Sequence, residues 1–99
     1  MDDRLKCCVP FCRRTTRGQD YGEWICGPHW RAVPRATRAD LFAAKRDLRK
    51  VLLTVPLARE YWKLPPGSPD WLRAARAWWA HDDAWKACKT LAVENAFGI

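Results

Sequence analysis

Cys7, Cys12, Cys26 and His29 have the residue types and the spacing of a tetrahedral metal site. Structural zinc takes thiolate sulfur and imidazole nitrogen, usually as two short-range pairs that each close a tight loop. Cys7-x4-Cys12 supplies the first pair and Cys26-x2-His29 the second, and the thirteen residues between them suffice for a hairpin. A turn at Cys26-Gly27, followed by Pro28, opens a short helix at His29-Trp30-Arg31, so the sulfur and imidazole of the second pair lie near one helical turn and can face one ion. Cys8-x3-Cys12 is an alternative first pair, with Cys7 favoured over it. Four protein ligands leave no position for water or substrate, so the expected Zn2+ is scaffolding.

The rest of the chain offers little for catalysis, and the protein is expected not to be an enzyme. His81-Asp82-Asp83 carries suitable groups, but consecutive helical residues fan out by about 100°, so the three cannot converge on one ion and read as a solvated, locally paired face. Cys88 falls on an apolar helical stripe and reads as a small buried hydrophobe. The sequence has no Gly-rich phosphate loop and no nucleophile motif.

Charge points to a binding role. Of the formal +7, residues 1 to 55 carry 12 basic against 6 acidic side chains, and residues 56 to 99 carry 6 against 5. Zinc held by three thiolates changes the total by about −1. Arg13, Arg14 and Arg17 in the cysteine module and Arg31, Arg35 and Arg38 across the junction that follows form a candidate phosphate footprint if they share a face. Lys45, Arg46, Arg49 and Lys50 extend it, with Asp40 and Asp47 partly neutralising that helix. Nucleic acid, DNA or RNA, is the first partner expected, and an acidic host protein the second. No small-molecule substrate is expected.

The elements that must position these groups follow from periodicity and breakers. Residues 7 to 30 hold Pro10, Gly18, Gly22, Gly27 and Pro28 with no helical period, a loop-and-hairpin module. From 37 to 55, Leu41, Leu48, Leu52 and Val55 recur at helical spacing, with Phe42 and Val51 widening the stripe. Pro56 interrupts, residues 57 to 63 make a short helical link, and Leu64-Pro65-Pro66-Gly67 breaks the chain. Ser68-Pro69-Asp70 is a strong helix start, and the helix it opens extends to about Ala96, with Gly98 as its end signal. The fold class expected is mainly α: a treble-clef-like zinc knuckle, residues 1 to 35, packed on an antiparallel pair of long helices, residues 36 to 99, in one compact domain. Packing is expected from Leu41, Leu48, Leu52 and Val55 against Trp71, Trp78 and Trp85. Trp24 and Trp30 are expected to cover the metal, and Trp79, off the main stripe, is the residue to watch for an exposed partner patch or a homodimer contact through the Trp-rich helix.

Seven Trp among 12 aromatic residues and 48% apolar content exclude a disordered chain. The most apolar run, residues 51 to 58, contains Thr54 and Pro56 and is too short for a membrane helix. Met1-Asp2-Asp3-Arg4-Leu5-Lys6 lacks the pattern of a signal peptide, so a cytoplasmic location is expected. In a reducing cytosol, four cysteines crowded before residue 27 argue for metal ligation over disulfides.

Cys7-Cys8-Val9-Pro10-Phe11-Cys12-Arg13, followed by Glu23-Trp24-Ile25-Cys26-Gly27-Pro28-His29-Trp30-Arg31-Ala32-Val33-Pro34, resembles a small zinc-binding protein type found in bacteriophages and prophages. The resemblance covers about residues 6 to 35. In that pattern the first ligand stands five places before the second, which matches Cys7, and an aromatic follows the final His, which matches Trp30. A related knuckle decorates phage nucleases of the HNH class, but with only His29, His81 and Asn95 available the nuclease motif is missing. The resemblance implies a phage origin, and with it the host cytoplasm as the place of action. The functions expected are a nucleic-acid-binding accessory or regulatory protein or, alternatively, an inhibitor or modulator of a host complex such as transcription or antiviral defence, including CRISPR.

Overall fold

The computed structural model describes residues 4–17 and 22–98. Gly18, one of the expected turn formers, lies outside them. The protein is mainly helical with one small two-stranded antiparallel sheet, in the order β1 (Arg4–Lys6), β2 (Thr15–Arg17), α1 (Gly27–Ala32), α2 (Arg35–Thr54), a 3-10 segment (Ala58–Lys63) and α3 (Pro69–Phe97).

The hairpin is placed differently from the sequence expectation. It closes around the first cysteine pair, with Arg4 opposite Arg17, Leu5 opposite Thr16 and Lys6 opposite Thr15. Between the strands, Cys12 N donates to Val9 O at 3.0 Å, which makes Val9-Pro10-Phe11-Cys12 a tight turn with proline in its favoured second position. That turn folds Cys12 back toward Cys7, and no strand is needed after Arg17 to do so.

α2 begins two residues earlier than predicted, directly after Pro34. Its entry is fixed by Arg38, whose Nε donates to Val33 O at 3.1 Å, and by Arg38 N donating to Pro34 O. α3 starts as the sequence indicated: Ser68 Oγ accepts from Trp71 N at 3.2 Å, and Pro69 occupies the first turn. It ends at Gly98, whose φ of 73° is the left-handed conformation that glycine adopts most easily.

α2 and α3 bury small and medium side chains against each other in two clusters. At the start of α2, Leu41 packs with Cys88 and Ala92 of α3 and with Val9, Ile25 and Val33 of the cysteine module. At the end of α2, Val51 and Val55 pack with Ala58 of the link and Ala74 of α3. The predicted α2 contribution stands for Leu41, Leu48 and Val55, while Val51 replaces Leu52 among the buried residues. The predicted α3 contribution does not: Trp71, Trp78 and Trp85 are half-buried, and the buried seam is Ala74, Ala75, Cys88 and Ala92. The reason is steric and polar. Small residues let two helix backbones approach, whereas an indole needs room at the edge and a partner for its N–H. Trp78 Nε1 accordingly donates to Ala58 O at 2.9 Å and Trp85 Nε1 to Glu23 Oε1 at 3.0 Å.

This seam has no space to spare, since Ala74 and Ala92 are 0% exposed. Ala74→Leu and Ala92→Leu are each expected to cost about 1–3 kcal/mol by overpacking, read as a lowered urea midpoint. Leu52→Ala, at a half-buried site, should cost less than either.

Candidate metal centre

Each ligand is delivered by a different local device. Cys7 follows β1, and its N–H donates to Arg14 O at 3.1 Å, which closes the hairpin. Cys12 ends the Val9–Cys12 turn. Cys26 is the N-cap residue of α1, and His29 lies in that helix's first turn, three residues on and on the same side. Trp30 N donates to Cys26 O at 2.8 Å and locks this turn.

The four donor atoms lie within 4.8 Å of one another. Cys12 Sγ is 3.8 Å from Cys26 Sγ, Cys7 Sγ is 3.5 Å from His29 Nδ1, and Cys26 Sγ is 3.1 Å from His29 Nδ1. A tetrahedron with Zn–S bonds near 2.3 Å has S–S edges of about 3.8 Å and S–N edges of about 3.6 Å. The Cys12–Cys26 and Cys7–His29 separations match these edges, the Cys26–His29 separation is shorter, and the donors lie within 4.8 Å of one another, so small side-chain adjustments close the set on one ion. Nδ1 is the nitrogen turned to the sulfurs, which assigns the ring proton of a ligating His29 to Nε2. Cys26 N donates to Cys7 Sγ at 3.3 Å, the kind of backbone contact that holds a metal-bound thiolate in place. Burial pushes the Cys26 thiol above its ordinary pKa, while the Arg14 backbone amide draws the Cys12 thiol below it. No cysteine is in a disulfide.

Cys8 is turned away. Its sulfur lies 3.9 Å from Glu23 Oε2, and burial raises its pKa. The choice left open between Cys7 and Cys8 is therefore decided by the backbone: Cys8 N pairs with Trp24 O at 2.8 Å, which directs adjacent side chains to opposite sides. Trp24 and Trp30 pack half-buried against the cluster that holds Cys7 and Cys26.

Sequence reasoning missed the residues that tie this module to α3. Glu23 accepts from Lys89 Nζ at 2.7 Å as well as from Trp85, and Asn95 Nδ2 donates to Ala32 O at 2.7 Å at the end of α1. None of these had a motif, because the partners are more than 60 positions apart. The donors from Lys89 and Trp85 lower the Glu23 pKa, and Glu23 raises that of Lys89.

The six arginines are spread over the module and the junction. Arg13, Arg14, Arg17, Arg31 and Arg35 are exposed, whereas Arg38 is half-buried and committed to Val33 O. Arg4, also missed, is exposed and directly opposite Arg17, with its Nε donating to Thr15 Oγ1 at 2.7 Å. His81 Nδ1 is buried 3.5 Å from Asp82 Oδ1 without a hydrogen bond to it, and among the described residues the Cys7, Cys12, Cys26, His29 group is the one with metal-site geometry.

No family model, no curated protein and no solved structure matches this chain. Fold and site define a class by themselves: a mainly helical protein with a three-cysteine, one-histidine cluster dimensioned for a metal ion. Among the described residues no helix is long and apolar enough to cross a membrane.

Purified protein is expected to carry one zinc per chain by elemental analysis. Cys26→Ser should abolish it and Cys8→Ser should leave it intact. Chelation should disorder the hairpin and α1, since metal binding contributes on the order of 10 kcal/mol to such modules. The Glu23 clasp gives a pH signature. A depressed carboxylate pKa stabilises above its unfolded value and is lost as pH falls through the folded one, and a raised Lys89 pKa stabilises until pH rises through it. Because both groups are partly exposed, Glu23→Gln should cost about 1 kcal/mol or less at neutral pH, read by thermal melting.

Proposed function

We propose that this protein is a small phage-type accessory or regulatory protein in which a structural zinc ion, held by Cys7, Cys12, Cys26 and His29, presents a basic surface to nucleic acid. In this reading residues 1 to 35 form a treble-clef-like knuckle seated on an antiparallel pair formed by α2 and α3, the whole being one compact domain that works in the host cytoplasm. The ion has no catalytic part, because its four protein ligands close the coordination sphere. Phage origin rests on the motif resemblance of residues 6 to 35.

One observation carries the nucleic-acid reading. Arg4 and Arg17 are exposed and directly opposite each other at the open end of a part-buried two-stranded ribbon, and like charges so placed destabilise a strand pair unless an anion relieves them. Arg13 and Arg14 stand exposed on the same hairpin. None of the ion pairs among the described residues involves any of these four. Phosphates are the ligand that forked guanidinium groups suit best. Arg31 and Arg35 extend the surface past the zinc, and Arg38 serves the junction.

The test is binding to single-stranded and duplex DNA and RNA across a salt series. With about five phosphate contacts, affinity should fall by roughly two to three orders of magnitude between 50 and 200 mM salt. Changing Arg13, Arg14, Arg17, Arg31 and Arg35 to alanine should flatten that slope, while Arg38→Ala should instead lower stability. Absence of salt-dependent binding to any of the four would overturn the reading, and retention of a host protein that survives nuclease treatment would replace it with the modulator role.

A further inference from the structure

At the other end of the helix pair, away from the cysteine module, the chain exposes two indoles that the fold does not use. Trp62 is 65% and Trp79 is 49% exposed. They are the ends of a continuous aromatic run: Trp62 to Tyr61 at 5.9 Å, Tyr61 to Trp71 at 6.0 Å and Trp71 to Trp79 at 6.0 Å between ring centroids. All three contacts are edge-to-face, with interplanar angles of 68°, 70° and 83°. An edge contact covers at most one face of a ring, so each terminal indole keeps a face free of its aromatic neighbours. Tyr61 and Trp71 are half-buried and hold the two in place from below.

The carboxylates that border this run are Glu60, Asp70, Asp82 and Asp83, of which Asp70 is half-buried in the first turn of α3. Arg59, Arg73 and Arg76 are exposed, and none is in an ion pair among the described residues. Arg76 precedes Trp79 by three residues on α3, and Arg73 precedes Arg76 by three, so the two cations and the indole follow one ridge of the helix. On the link, the one carboxylate beside Trp62, Glu60, is already bound to Lys63. Asp82 and Asp83 lie one turn beyond Trp79 and bound the surface on that side. A second protein copy gains nothing from guanidinium groups repeated on both faces. An unpaired polynucleotide satisfies both features, its bases stacking on indole faces and its phosphates meeting arginine.

We propose that Trp62 and Trp79, with Arg59, Arg73 and Arg76, form a stacking site for single-stranded nucleic acid, separate from the arginine face of the zinc module. Duplexes are excluded as its ligand, because their bases are already stacked on one another. The site does not require the zinc-module surface to bind anything.

Full-length zinc-loaded protein titrated into a fluorescein-labelled oligothymidylate and a labelled duplex separates the cases by anisotropy. Trp62→Ala/Trp79→Ala should weaken oligothymidylate binding by about tenfold or more and leave duplex binding unchanged. Trp62→Phe/Trp79→Phe, which keeps an aromatic face, should stay within about threefold of the parent. Each alanine removes one edge-to-face contact at a surface position, so the double alanine variant should melt a few degrees lower and remain folded at the assay temperature, while the phenylalanine variant should melt close to the parent. Replacing the zinc-module arginines should lower duplex binding and spare a component of oligothymidylate binding; oligothymidylate and duplex binding that are both unchanged by those replacements, with oligothymidylate binding lost in the double alanine variant, would leave this site standing and remove the other. The proposal is overturned if the double alanine variant binds oligothymidylate like the parent, if the phenylalanine variant loses as much as the alanine one, or if no oligothymidylate binds. A parent that sediments as a dimer and a double alanine variant that sediments as a monomer, with oligonucleotide binding unaltered, would reassign the surface to self-association.

Discussion

Three stretches of chain converge on one point: the residue after β1, the end of the turn that follows and the start of α1 bring four donor atoms within 4.8 Å. The segment before α2 has few means of its own to hold that arrangement. Among its described residues the strands are three residues each, the helix is six, and the buried side chains are Cys7, Val9, Ile25, Cys26 and Val33. Two of those five, Cys7 and Cys26, belong to the donor cluster. A core this small does not secure a fold without a crosslink or an ion, so donor geometry is the constraint from which the placement of the hairpin, of α1 and of their arginines follows.

The same segment is also anchored to α3, by the Glu23 carboxylate between Trp85 and Lys89 and by Asn95 at the last turn of α1. These contacts differ in kind from the metal cluster. They are partly exposed, individually worth little, and act by fixing orientation. The buried contribution is Leu41 against Cys88 and Ala92, where Cys88 also approaches Thr37 O at 3.6 Å. Cys88 thus has a packing role and a weak donor role, and burial raises its pKa, which suits an inert thiol.

Small residues along the α3 seam explain why so many indoles stand at the surface. Four of the most buried positions on α3 are Ala74, Ala75, Cys88 and Ala92, and the tryptophans between them are displaced to the flanks. Trp78 and Trp85 each find an acceptor there. Trp79 does not pack into the seam at all and instead continues the aromatic run toward the link. Leu57, at the turn that leads into this link, adopts a φ of 57°, a left-handed conformation unusual for a bulky residue.

Three members of the donor cluster, Cys12, Cys26 and His29, the helix that starts at Ser68 and ends at Gly98, and the break at Leu64 to Gly67 were all legible in the sequence, because each depends on residues a few positions apart. Spacing within a turn, a capping side chain and a missing proline N–H are local quantities. The sequence did not decide between Cys7 and Cys8, place the hairpin around rather than after the first cysteine pair, choose alanines over tryptophans for the seam, or pair Glu23 with Lys89. Those outcomes depend on which surfaces meet across 9 to 66 positions of chain, and periodicity reports only that a face is apolar. It carries no measure of how closely two backbones can approach, and that distance is what sent the indoles outward.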